Sequence, residues 1–156
     1  MPEVGDIAPE ITLPDQSGSP VSLSGLLAQN KSDVLYFYPK ADTPGCTTES
    51  CSFRDSVPVY AEADAIIVGI SPDKPSAQQK FATKFDLPFT LFADADHAAC
   101  EAYGVWVEKS MYGKKYMGVE RTTFVIRPDG KISHIFRKVK IDGHATEVLN
   151  AVKGDA

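Results

Sequence analysis

Cysteine is scarce in this chain. Three in 156 residues is an odd number and too few for the disulfide framework of a small secreted protein. Positive charge is also short: 16 Lys and Arg against 21 Asp and Glu leave a formal net charge of -5, without the basic footprint of a nucleic-acid binder. No apolar run approaches the roughly 20 residues of a membrane-spanning helix, so no membrane association is expected. The opening MPEVGDIAPE has neither a basic segment nor an apolar stretch of the kind that directs export. A cytoplasmic setting is therefore expected, where thiols stay reduced and a Cys pair serves catalysis or metal binding more often than structure. There is no internal repeat, low-complexity tract or long linker, so residues 1–156 read as one domain. With 43% hydrophobic and 24% charged residues, the composition is that of a globular protein with a real core.

The apolar runs divide the chain into strands and helices. Ile11–Leu13 and Val21–Leu23 flank a polar turn, and Ser24 is expected to cap a short helical turn through Leu27. Asp33–Tyr38 and Ala65–Ile70 have no polar face and read as central strands buried on both sides. Thr90–Ala93 is a further short strand. Thr122–Ile126 and Ile132–Phe136, joined by Pro128-Asp129-Gly130, read as a hairpin. Ala77, Phe81 and Phe85 mark a helix with Ser76 as its cap; Ala145, Val148, Leu149 and Val152 mark another. Strands alternating with helices, then a hairpin and a helix, predict an α/β fold around a mixed central sheet.

The chemistry is concentrated in Tyr38–Asp55, YPKADTPGCTTESCSFRD. Thr43 suits an N-cap and Pro44 the first helical position, so a helix is predicted to start there. Cys46 then lies in the first turn, near free backbone N–H groups and the positive end of the helix dipole. A thiol there is expected to have a depressed pKa, and the thiolate is the nucleophilic form. Against this stands the commonest role of a free Cys, a small buried apolar residue. On an intact helix Cys46 and Cys51 are about 8.7 Å apart at Cα. A disulfide tolerates about 7 Å at most, so bonding these sulfurs requires the helix to unwind.

The stretch resembles the active site of a peroxiredoxin, whose Pro-x-x-x-Thr/Ser-x-x-Cys signature is matched by Pro39, Thr43 and Cys46. The form TPGCTTESCSFRD is similar to the bacterioferritin comigratory, or Q-type, branch. The resemblance extends over VGDIAPEITLPDQSG, ISPDKPSAQQKFATKF, ACEAYGVW, ERTTFVI and RKVKIDGHATEVLNAVK, nearly the whole chain. It implies a thioredoxin-like fold with an N-terminal extension. It also implies a thiol peroxidase acting on hydrogen peroxide and organic hydroperoxides. Carried onto this chain, Cys46 is the peroxidatic nucleophile and Cys51 the resolving Cys. Thr43 orients the peroxide, Pro39 shields the thiolate, and Arg121 holds its charge. Thioredoxin or glutaredoxin is the implied reductant, the monomer the implied state, and no metal or organic cofactor is needed. Thr122 and Ala41 depart from the common pattern, where Ser and an acidic residue are frequent; both changes are mild for this chemistry.

Other residues admit plainer readings. Cys100 reads as a packed helix residue. A zinc site of Cys46, Cys51, Cys100 and His97 is disfavoured, because a ligated thiolate forfeits its nucleophilicity. Glu49 is either a partner of Arg121 or a solvated helix acid. Lys109, Lys114, Lys115, Arg137, Lys138 and Lys140 read as a solvated face, Trp106 as packing, and His134 and His144 as surface or strand positions whose partners the sequence does not reveal. A disulfide oxidoreductase is disfavoured by the spacing, which is not Cys-x-x-Cys. A redox-sensing or holdase module using the same disulfide switch is the non-enzymatic alternative.

Overall fold

The structure, a computed structural model, describes residues 2–154. In chain order the elements are β1 (Thr12–Pro14), β2 (Pro20–Ser22), α1 (Leu23–Leu27), β3 (Ser32–Phe37), α2 (Pro44–Glu62), β4 (Ala65–Ser71) and α3 (Pro75–Lys84). They continue with β5 (Thr90–Ala93), α4 (Ala98–Ala102), β6 (Trp106–Met111), β7 (Lys114–Val119), β8 (Thr122–Ile126), β9 (Ile132–Phe136) and α5 (His144–Gly154). Five strands form one mixed sheet in the order β5-β4-β3-β8-β9. β3 pairs in parallel with β4 and antiparallel with β8, so it lies at the centre with apolar layers on both faces. That is why its sequence shows no polar alternation.

Alternate residues of β3 feed two cores. Leu35 and Phe37 point into a layer with Tyr103, Phe124 and the residues of α1 and α4. Val34, Tyr36 and Tyr38 point into the other, with Cys46 and Phe53 of α2, Phe81 of α3 and Val148 of α5. The thioredoxin-like α/β architecture expected from the sequence is thus present, and the reactive segment lies on the second face.

Two local expectations need correction. α1 is capped by Ser22, whose hydroxyl accepts from Gly25 N at 3.0 Å, and not by Ser24. The earlier start puts Leu23 and Leu26 on one face, where both are buried. α3 starts at Pro75, and Ser76 lies inside it; Lys74 is the cap position, with no side-chain bond. Proline at the first helical position has a suitable φ and no N–H to satisfy, so it overrides the serine signal. The hairpin of β6 and β7 was not anticipated. Its strands are rich in charge, and its two-residue turn places both Tyr112 and Gly113 at positive φ (52° and 77°).

Candidate active site

β3 delivers the chain to the site. After Tyr38 the backbone bends at half-buried Pro39, and a short loop leads to Thr43. Asp42 sits at φ 59°, a turn conformation that Asp tolerates better than most residues. Ala41 N donates to Asp73 Oδ2 at 2.8 Å, which ties this loop to the end of β4. Thr43 occupies the cap position of α2 with extended backbone, as expected, yet makes no capping bond. Its hydroxyl instead donates backward to the Lys40 carbonyl at 2.8 Å. Pro44 opens the helix.

Cys46 is therefore in the first turn of α2, and only 1% of the residue is exposed. Arg121 Nη2 lies 3.3 Å from its sulfur. Arg121 is 75 residues away in sequence and stands immediately before β8, next to the central strand. The pairing of Phe37 with Thr122 brings the end of β3 and the start of β8 together. Cys46 and Arg121 thus meet where these two strands approach the helix, with Pro39 and Thr43 on the loop that leads into it.

Glu49 resolves in favour of the ion pair. It is 1% exposed and accepts from Arg121 Nη1 at 2.6 Å. Burial pushes its carboxyl up to about 7, with Arg121 pulling the other way. Burial also works against the Arg121 charge, but Glu49 and Cys46 outweigh it and raise the guanidinium above its ordinary range. The guanidinium thus spans a carboxylate and a sulfur. Gly45 leaves it room: a β-carbon there would sit 3.3 Å from Arg121 Nη2 and 3.4 Å from Ile141 Cδ1.

A second bond fastens the same turns of α2 from below. Tyr36 Oη and Ser50 Oγ, both fully buried, share a hydrogen bond of 2.8 Å. The Tyr36 ring stacks on Phe53 and Tyr38 at centroid distances of 4.7 and 5.3 Å. The pairing itself is not legible in the sequence, where a tyrosine in a buried strand reads as packing and Ser50 only as a modest helix former. Further along, α2 is held by α5. Tyr60 Oη donates to the Ala145 carbonyl at 2.6 Å. His144 is buried and not a surface position. It shares a 2.8 Å bond with Thr123 Oγ1, pairs with Glu147 at 3.1 Å and meets Phe53 edge-on. Burial lowers its pKa, against the pull of Glu147.

Cys51 is half-buried on the same continuous helix, and both thiols are free. Cys100 lies apart, in the opposite core layer. Asp94 accepts from Cys100 N at 2.9 Å, and burial with that carboxylate drives the Cys100 thiol far up, so it is a packed, inert sulfur. His97 stacks flat on Trp106 with ring centroids 4.2 Å apart, which accounts for both residues.

The chain matches the AhpC/TSA family over residues 4–135. It is 51% identical over 147 residues to the putative peroxiredoxin bcp of Coxiella burnetii, covering 94% of this chain and 96% of the relative. It is 47% identical over 151 residues to peroxiredoxin Bcp of Bacillus subtilis, covering 97% and 95%. Among solved structures it superposes with a TM-score of 0.87 on the bacterioferritin comigratory protein of Xanthomonas campestris, described for its alkyl peroxide reduction activity. That match is at 39% identity and covers 93% of this chain and 91% of the other. A thiol at a helix start under an arginine, on this fold and with these relatives, leads to one assignment: the chain belongs to the AhpC/TSA family, as a peroxiredoxin of the Bcp type.

Proposed function

We propose that this peroxiredoxin reduces hydrogen peroxide and organic hydroperoxides through Cys46, with Cys51 as the resolving thiol. The observation that carries the assignment is the 3.3 Å contact between Arg121 Nη2 and the Cys46 sulfur, in a guanidinium anchored by Glu49. A fixed cation beside the sulfur is placed to stabilise the negative charge that moves through the S–O–O line during attack.

The thiolate attacks the near oxygen of the peroxide, the O–O bond breaks, and hydroxide or alkoxide leaves with the electron pair. Arg121 and the backbone N–H groups at the start of α2 stabilise the charge moving from sulfur to the leaving oxygen. Thr43 donates to the Lys40 carbonyl, so its lone pairs remain to accept the peroxide O–H and align it. Pro39, at the bend after β3, limits water around the sulfur. Cys46 is now a sulfenic acid. The Cys51 thiol displaces its oxygen, forming the disulfide and releasing water.

That second step moves the helix. Both cysteines lie on α2, which is unbroken from Pro44 to Glu62, and its ideal Cα separation of about 8.7 Å exceeds disulfide reach. The first turns must unwind and surrender the Glu49–Arg121 and Tyr36–Ser50 bonds. A dithiol protein, thioredoxin or glutaredoxin, then reduces the exposed disulfide by exchange. A monomer in the cytoplasm suits a cycle closed within one chain. No helix among the described residues is long and apolar enough to cross a membrane.

The test is peroxide consumption coupled to thioredoxin, with intact mass after one equivalent of peroxide. Wild type loses two hydrogens, Cys51→Ser gains one oxygen, and Cys46→Ser does neither and is inactive. Full turnover in Cys46→Ser overturns the proposal.

A further inference from the structure

The segment Tyr38–Thr43, which runs into the helix of Cys46, is fastened from one side. Tyr38 N donates to the Ile70 carbonyl at 3.0 Å, and the Tyr38 hydroxyl donates to Gln78 Oε1 at 2.6 Å. Ala41 N donates to Asp73 Oδ2 at 2.8 Å, and Lys84 Nζ donates to Asp42 Oδ2 at 2.9 Å. Ile70 is in β4, Gln78 and Lys84 are in α3, and Asp73 lies in the turn between the two elements. These four bonds tie the segment to the β4–α3 unit and not to α2, whose first turns must open for the disulfide step.

The four bonds differ in what they hold. Tyr38 and Gln78 are buried and fix the end of the strand, before the loop begins. The Lys84–Asp42 pair is exposed on both sides, where solvent and salt weaken it. Asp73 is half-buried, and one oxygen of its carboxylate gathers two short bonds, from Ala41 N at 2.8 Å and from Ser71 Oγ at 2.6 Å. Ser71 is the last residue of β4 and fully buried, so the carboxylate stands on a rigid base. A charge-assisted bond of this kind is the strongest restraint on the loop itself. It acts at position 41, between Pro39 and Thr43, immediately before Asp42 turns the chain at φ 59°. From there the path to the sulfur is short. The Thr43 carbonyl accepts from Thr47 N at 2.8 Å, in the helical turn that holds Cys46.

We propose that Asp73 is a positioning residue for the peroxide reaction: through Ala41 it fixes the Pro39–Thr43 loop, so that the Thr43 hydroxyl keeps its place at the head of α2 while Cys46 attacks. The inference rests on Cys46 being the nucleophile. It assigns Asp73 to the first chemical step alone. Forming the disulfide opens α2 and leaves the bonds to the β4–α3 unit in place, so Asp73 has no contact to make or lose in the second step.

The experiment follows the reduced full chain after mixing with hydrogen peroxide, by quenched flow and intact mass. Gain of one oxygen in a Cys51→Ser background reports the first step. Loss of two hydrogens with Cys51 present, at peroxide high enough to outrun the first step, reports the second. Asp73→Ala slows the first step roughly ten- to hundredfold, the range between a lost charge-assisted bond and an ångström of misplacement. The second step changes less than about twofold, because the restraints on α2 are the same in both proteins. Asp73→Asn, whose amide oxygen still accepts from Ala41 N, recovers the first step to within roughly threefold of wild type. Lys84→Gln, which loses only the exposed pair, leaves it within about twofold. Asp73→Ser, too short to reach Ala41, repeats the test if Asp73→Ala does not fold. An unchanged first step, equal slowing of both steps, no recovery in Asp73→Asn, or a loss in Lys84→Gln as large as in Asp73→Ala overturns the inference. Failure of the wild-type protein to be oxidised at Cys46 by hydrogen peroxide overturns instead the reading on which it rests.

Discussion

Arg121 donates to one oxygen of Glu49 at 2.6 Å, while the other oxygen of that carboxylate is buried with no partner. The anchor of the Arg121 guanidinium is therefore itself only half satisfied. Burial pushes the Glu49 carboxyl up to about 7, so the anchor changes charge near neutral pH. Above that pH it is a carboxylate and the stronger acceptor. Glu49→Gln keeps an acceptor for Arg121 and removes the charge. Oxidation of Cys46 by hydrogen peroxide is expected to slow roughly tenfold, the equivalent of losing about 1.4 kcal/mol from a charged hydrogen bond. The rise in rate through pH of about 7 should disappear with it. A stopped-flow pH profile of both proteins checks this; an identical profile would mean that Arg121 needs no charged anchor.

Tyr36→Phe removes the bond that holds Ser50, and with it one restraint on the first turns of α2. Losing a buried hydrogen bond costs about 1 kcal/mol. Because disulfide formation requires these turns to open, the step from sulfenic acid to disulfide should accelerate, by roughly fivefold if the whole cost falls on the closed helix. Quenched-flow mass analysis separates this step from the first oxidation, which should change little. A slower second step would contradict the unwinding mechanism.

Asp33 lies at the start of β3, fully buried, and neither of its carboxyl oxygens has a partner. Burial pushes its pKa up to about 7. The folded state thus holds a proton that the unfolded chain releases near the ordinary value of 3.8. Stability from this group is complete below that value and is lost as pH rises through about 7, and Glu49 acts with the same sign. Asp33→Asn should match wild type in acid and exceed it above neutrality by about 2–4 kcal/mol. Urea unfolding at both ends of the range measures the difference. A constant offset would show that the carboxyl does not titrate in the fold.

Gly69 lies beneath Tyr36. A β-carbon there would come 2.8 Å from Leu91 Cδ2 and 2.9 Å from Tyr36 Oη, closer than packing allows. Gly69→Ala should destabilise the protein by about 1–3 kcal/mol, the usual effect of overfilling a packed site. Displacing Tyr36 also loosens Ser50, so its disulfide step should quicken as in Tyr36→Phe. Thermal unfolding and quenched flow provide the two readouts; unchanged stability would mean that the ring shifts freely.

Periodicity and turn chemistry carried the strand order a long way. β5, β8 and β9 have the boundaries that the sequence predicts: β5 and β8 are buried along nearly their whole length, and Pro-Asp-Gly ends β8 sharply before the half-buried edge strand β9. The β6–β7 hairpin escaped because its exposed strands bury little, so selection for apolar residues leaves no pattern to read. His144 escaped for the opposite reason: a lone polar residue at the head of a helix looks solvated until Thr123 and Phe53 are seen closing over it.

The linear order of residues was enough to decide that Cys46 begins a helix and that Cys51 follows on the same helix, since capping, proline placement and helical rise are local properties. It also implied that any bond between the two must deform that helix. Folding alone decided what surrounds the sulfur. Arg121 reaches it from 75 residues away because β8 pairs beside β3. Glu49 became the anchor of that arginine, and not a solvated acid, because the helix face that carries it turns inward. Contacts across a sheet depend on register and burial, and these exist only once distant segments have packed together.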